Sequence, residues 1–231
     1  MANNSSTIQQ DTLSFLSSLA KHNNRDWFEK HKPRYQGAAA NLQAFSDVLI
    51  ERMNRHDRIS TENGKKALFR IYTDQRFHKD RPPYKTWLAG YLERMKPALR
   101  GGYYFHIEPG NCFLGCGFYE PEKEDLHRIR MDILYDHATW NKLLKAAPLR
   151  KTWGDLGGRQ LKTAPRDFPK DHPAIGLLRH TQFIFRRAFT DKEVLSEGFV
   201  NEVDKSFKTL RPWLNHMSEV LTTDGNGDPL R

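Results

Sequence analysis

Between Lys66 and Lys85 the chain reads KALFRIYTDQRFHKDRPPYK, gathering Arg70, Asp74, Arg76, His78, Lys79, Asp80, Arg81, Tyr84 and Lys85 into one short stretch. Each of these side chains costs free energy to desolvate unless something pairs with it. Their density therefore points to a binding site or to an ion-pair network. Arginine forks and lysine point charges suit carboxylate or phosphate. Asp74 and Asp80 would orient those bases, hold a divalent ion or serve as a general base. An internal network that pins the loop would use the same residues, and Pro82-Pro83 fits such a stiff connection.

Strand alternation extends this set. If Ala67 to Thr73 is a strand, Leu68, Arg70, Tyr72 and Asp74 share one face, and Ala67, Phe69, Ile71 and Thr73 form the core face. In Tyr103 to Ile107 the same rule groups Tyr104, His106 and Glu108 opposite Tyr103, Phe105 and Ile107. In Cys112 to Tyr119 it sets Gly115 and Gly117 against Leu114, Cys116 and Phe118. Aligned, these faces would place Arg70, Tyr72, Asp74, Tyr104 and His106 beside a bare floor at Gly115 and Gly117, where a ligand or another backbone can approach. Asp74 and His106 are then the acid/base candidates. Arg70, Tyr72, Arg76, Lys79, Tyr84, Lys85, Tyr104, Gly115 and Gly117 are the ligand-binding candidates, and no metal is expected.

The elements that must position these residues follow from periodicity. Thr12 or Ser14 caps a short helix carrying Phe15, Leu16 and Leu19, and a second begins at Arg25 and stops at Lys32-Pro33. Tyr35, Leu42, Phe45, Leu49 and Met53 then recur at helical spacing. Four strands follow, at Ala67 to Thr73, Thr86 to Leu92, Tyr103 to Ile107 and Cys112 to Tyr119. The last two are joined by the turn Glu108-Pro109-Gly110-Asn111. Pro121 opens a helix with Leu126, Ile129 and Ile133, and Thr139 to Ala146 continues or follows it. A small hairpin is expected over Trp153 to Thr163, then a short helix over Pro173 to His180 and a strand over Gln182 to Ala188. A C-terminal helix from Ser196 should kink or restart at Pro212.

Helices, a block of strands, then helices predict an α+β fold with a mostly antiparallel central sheet and helices at both chain ends packed on it. With 231 residues, 38% hydrophobic and 12% aromatic, the chain can close a sizeable core. One domain over 11–221 is expected, between flexible ends at 1–10 and 222–231, which are polar and without periodicity. No leader pattern and no run of about 18 apolar residues is visible, so a cytoplasmic protein with no membrane partner is expected. Cys112 and Cys116, four apart in a strand, would lie about 13 Å apart, too far for a disulfide, and read as structural. The net charge of +9 favours an anionic partner, yet the bases are scattered and carry no nucleic-acid motif.

The segments FLSSLAKHNNRDWFEKHKPRY, KALFRIYTDQRFHKDRPPYKTW, GYYFHIEPGNCFLGCGFYEPE, DHPAIGLL and DKEVLSEGFV, in this order, resemble a widespread conserved hypothetical family known only as a domain of unknown function. The resemblance covers nearly the whole chain. It implies no activity, cofactor or catalytic residue. Where similar sequences show an FLGGG-like strand this one has Phe113-Leu114-Gly115-Cys116-Gly117, and a lysine frequent before the later strand is absent from Arg179-His180-Thr181-Gln182-Phe183.

No P-loop, Rossmann fingerprint, nucleophile elbow or zinc-protease helix is present. The expected function is an enzyme or binding protein for a small anionic ligand, phosphorylated ones included. The alternatives are a non-catalytic module for nucleic acid or an acidic protein surface, and a purely structural protein. Cofactor and oligomeric state are not specified by the residues.

Overall fold

Four strands form one antiparallel sheet in the order β1-β2-β3-β4: β1 (Leu88–Glu93), β2 (Gly102–Ile107), β3 (Cys112–Phe118) and β4 (Phe183–Phe189). The computed structural model describes residues 7–74, 76, 80–224 and 228. Helices lie at both ends of this region of the chain, and the fold is α+β. Among the described residues no helix is long and apolar enough to cross a membrane. The β2–β3 turn forms as its composition demands: Gly110 takes φ +76°, and the Asn111 N–H donates to the Glu108 carbonyl at 2.9 Å.

The chain divides into two compact units, one built from residues 1–93, 103–114 and 188–205, the other from 94–102, 115–187 and 206–231. The first carries α1 (Gln10–Lys21), α2 (Arg25–Lys30), α3 (Lys32–Met53) and α4 (Gly64–Ala67). Asn24 caps α2 by accepting from the Trp27 N–H, and Pro33 sits in the first turn of α3, where its missing N–H costs nothing. The core of this unit is aromatic: Phe45 packs on Phe105 at 5.7 Å and on Phe199 at 5.8 Å. Buried Ile8, with the Gln9 N–H donated to the Asn41 side chain at 2.9 Å, ties down the chain ahead of α1.

The second unit contains α5 (Lys123–Tyr135), α6 (His137–Leu144), α7 (Ala147–Trp153) and α8 (Ile175–Leu178). The remaining helices, α9 (Asp191–Val194) and α10 (Phe199–Thr222), close the chain, α9 in the first unit and most of α10 in the second. Trp213 on α10 meets Phe185 at 5.1 Å and Phe118 at 6.1 Å, and Trp153 stacks on Phe207 at 6.0 Å. Arg94 is fully buried in this unit, donating to the Arg100 and Leu214 carbonyls, to Ser218 Oγ and to Asn215 Oδ1.

Three expectations about elements are corrected. Ala67 to Thr73 is not a strand. Asn63 caps α4 through the Lys66 N–H, and Gly64 lies so close to α3 that a Cβ there would stand 2.0 Å from the Gln43 carbonyl oxygen. The following residues make only single bridges, Leu68 to Gly90 and Tyr72 to Tyr84, so the segment changes partner before a ladder can grow. Its supposed core face is correspondingly broken: Ile71 is buried, while Phe69 is 46% exposed. Trp153 to Thr163 is not a hairpin either, because Trp153 ends α7, and Gly157 and Gln160 bridge to Ile184 and His180. Finally, of the kink or restart expected at Pro212, the restart does not occur, and α10 runs through the proline. The proline is on an exposed side, where water can meet the carbonyl it leaves unbonded one turn back.

Candidate functional site

The residues expected to share one pocket, apart from Gly115 and Gly117 of the second unit, fall into separate groups. Asp74 and Arg76 form one. Asp74 Oδ1 accepts from the Arg76 backbone N–H and Nε, both at 3.1 Å, and Oδ2 accepts from Nη2 at 2.8 Å. This fork lies on an exposed turn, with the Arg76 side chain 82% exposed. Residues 71–73 and 83–85 are paired by the Thr73 N–H to the Pro83 carbonyl and the Lys85 N–H to the Ile71 carbonyl. Lys79 lies outside the described residues.

Tyr72 and Tyr84 form a second group, their rings 5.6 Å apart across the bridge between them. Phe28 of α2 stacks on Tyr84 at 3.9 Å. Asn23 fixes the Tyr84 backbone from both sides, donating Nδ2 to its carbonyl at 2.8 Å and accepting its N–H at 3.1 Å. Burial pushes the Tyr84 phenol above its ordinary range, with the neighbouring Tyr72 adding to the shift. The polar run at the start of α2 thus does more than cap a helix: Asn23 holds the far end of the 68–85 segment against it.

The third group has the geometry of a proton path. Strand alternation on β2 sets Tyr104, His106 and Glu108 in a row, and their side chains join end to end. The Tyr104 O–H donates to His106 Nδ1 at 2.9 Å, and His106 Nε2 meets Glu108 Oε2 at 3.2 Å. Charge settles the tautomer. Burial would raise the Glu108 pKa, but hydrogen bonds from Asn111, His106 and Thr86 outweigh it and hold the carboxyl below its usual range. An ionised Glu108 only accepts, so Nε2 carries a proton, and in the neutral form of the ring Nδ1 is the atom that takes the phenol's. Thr86 Oγ1 donates to Glu108 Oε1 at 3.1 Å and Asn111 Nδ2 to Oε2 at 2.6 Å, so the carboxylate is fixed from several sides.

Burial, helped by the Glu108 charge, pushes the Tyr104 phenol up to about 12, which keeps it protonated. Neighbouring strands supply the walls. Phe113 on β3 stacks on His106 at 4.6 Å, and Trp87, just before β1, lies 4.9 Å from it. Lys85 Nζ stands 5.1 Å over the Trp87 ring and donates to the Arg70 carbonyl at 2.6 Å, while the exposed Phe69 ring lies 6.1 Å from Tyr104. Burial lowers the Lys85 pKa. The turn that carries Asn111 is tethered through the Gly110 N–H to Asp191 Oδ1 at 2.9 Å, at the start of α9.

The structure therefore joins Tyr104 to His106, Lys85 to the Arg70 backbone, Tyr72 to Tyr84, and Asp74 to Arg76. Trp87, Phe113, Thr86 and Asn111 were not among the expected site residues. For Phe113 a signal existed, since it shares its strand face with Gly115 and Gly117. The glycine floor is not bare. Gly117, in the second unit, has φ +130°, and a Cβ there would stand 2.0 Å from the Phe183 carbonyl oxygen. It is the neighbouring strand's backbone that needs this glycine. Gly115 is buried in β3. Cys112 and Cys116 are both buried and outside any disulfide; burial pushes the Cys112 thiol up to about 11, where it is inert at neutral pH.

Comparison with known proteins adds a family and nothing about chemistry. A family model described as a conserved hypothetical protein, DUF2461, matches residues 11–216. No curated protein matches the chain, and no solved structure does.

Proposed function

The chain belongs to the conserved hypothetical protein family DUF2461, and we propose that it binds and acts on a small anionic ligand, phosphate esters among the class, at the Tyr104 end of the row on β2. The observation that carries this reading is the Tyr104–His106–Glu108 hydrogen-bonded chain. Its polarity runs one way. As a ligand hydroxyl gives its proton to the Tyr104 oxygen, the phenol passes its own to His106 Nδ1, and ionised Glu108 stabilises the imidazolium that results. A carboxylate orienting an imidazole against a hydroxyl has the same logic as a catalytic triad, with a phenol in the outer position.

Anion recognition is assigned to Lys85, with Arg70 and Arg76 on the segment beside it. Lys85 is partly desolvated, which disfavours its charge, and an anion would restore the charge and gain a contact of low dielectric. Asp74 orients the Arg76 fork in this scheme and takes no proton.

Thermal-shift titration with inorganic phosphate and a set of phosphorylated metabolites tests the proposal, since a ligand of the folded state raises its apparent stability by mass action. Wild type should be stabilised, Lys85→Met should lose the shift, and Tyr104→Phe should keep binding while losing turnover of whichever ligand is converted. Absence of any anion-dependent shift, or a shift unchanged in Lys85→Met, overturns it.

A further inference from the structure

The first unit holds an aromatic ring in solvent beside the Tyr104 row. Leu68 bridges to Gly90, and the Phe69 N–H donates to the Ala89 carbonyl at 3.0 Å, so the Phe69 backbone is fixed against β1. Its ring is exposed all the same, although Ala67 and Ile71 on either flank are buried. Among the described residues the one ring it meets is that of Tyr104, 6.1 Å away and tilted by 51°, a geometry that leaves a face of Phe69 uncovered. Tyr72, the other exposed ring on this segment, lies instead against Phe28 of α2 at 6.0 Å.

A cation stands next to that ring. Lys85 Nζ donates to the Arg70 carbonyl at 2.6 Å, one residue along the chain from Phe69, and lies over the Trp87 ring at 5.1 Å. Among the described residues that carbonyl is the one acceptor Lys85 has, for three N–H groups, and no carboxylate pairs with it. A partly desolvated ammonium with donors to spare favours an anion, and an uncovered aromatic face favours a planar ring. A ligand that satisfies both carries an anionic group and a flat ring on one small frame, as a nucleoside phosphate does. One uncovered face takes one base. Trp87 offers no second platform, because Lys85 and His106 already flank it.

We propose that the small anion assigned to Lys85 is a mononucleotide, its base stacked on Phe69 and its phosphate on the Lys85 ammonium, an inference that rests on the anion-binding reading of Lys85. Phe69 is then the residue that selects nucleotides over other phosphate esters.

Isothermal titration of the full chain with AMP, ribose 5-phosphate and adenosine separates the two contacts. AMP should bind about tenfold more tightly than ribose 5-phosphate, within the range that stacking one base on an aromatic side chain gives. Phe69→Leu should erase that advantage, and its unchanged affinity for ribose 5-phosphate reports that the fold is intact. Lys85→Met should weaken both phosphates. Equal affinities for AMP and ribose 5-phosphate, or an AMP affinity unchanged in Phe69→Leu, overturn the mononucleotide and leave the anion site standing. Binding of neither phosphate, or AMP no tighter than adenosine, overturns the anion site and the mononucleotide with it. Oligoadenylate that binds more tightly than AMP per mole of nucleotide overturns the single-base occupant in favour of a strand.

Discussion

Of the histidines that lean on a carboxylate, His106 and His216 differ in what the other ring nitrogen does. His106 has both nitrogens engaged, by Tyr104 and Glu108, and lies against Trp87 and Phe113 with its side chain 8% exposed. His216 engages one nitrogen with Asp132 and turns the other to a groove. The same pair of functional groups therefore makes two devices. A ring satisfied at both ends passes charge along a row and presents chemistry only through its neighbour, whereas a half-satisfied ring is itself the contact surface. What separates them is the supply of partners around the second nitrogen, which no property of the histidine determines.

The largest test of this contrast is truncation of each ring. His106→Ala should cost about 2–4 kcal/mol of unfolding free energy, because it opens a cavity between aromatic rings and strands the Tyr104 and Glu108 polar groups. His216→Ala should cost about 1 kcal/mol, since water replaces the lost contact from the groove side. Urea unfolding of both variants checks the order, and equal costs would remove the distinction.

A smaller effect sharpens the electrostatics of the His106 row. The Glu108 pKa is lowered in the fold from an ordinary value of 4.5, so its contribution to stability is fully present above pH 4.5 and is lost as pH falls through the lowered folded value. Glu108→Gln should therefore be less stable than wild type at neutral pH, and the gap should close as pH falls below 4.5 and through the lowered folded value. Urea midpoints measured across that range decide it; a gap that widens on acidification would contradict the assigned ionisation. The smallest effect belongs to the exposed turn. Arg76→Ala should leave the urea midpoint unchanged, because the Asp74–Arg76 fork is solvated and screened.

Much of the framework is legible in the order of the residues. The apolar periodicity of Leu42, Phe45, Leu49 and Met53 gives the buried stripe of α3, and Pro-Gly between two aromatic runs gives the β2–β3 turn. Alternation on β2 correctly groups Tyr104, His106 and Glu108. The same rule fails on Ala67 to Thr73. Alternation presumes a strand, and a capped short helix with two single bridges takes its place. It also misreads Gly117, since an empty strand face looks identical whether a ligand or a backbone carbonyl comes to fill it.

What the amino-acid sequence determined by itself was local: the start of α2 at Arg25, the apolar stripe of α3, the β2–β3 turn, and the common face of Tyr104, His106 and Glu108. Those features arise from interactions a few residues long, so they are written in the order of the side chains. The tertiary structure alone decided that Trp87 and Phe113 flank His106, that Arg94 is buried among α10 acceptors, and that Asp132 meets a histidine 84 positions away. Each of these contacts depends on which elements pack together, and that is chosen by the burial of the whole core, which no single segment specifies.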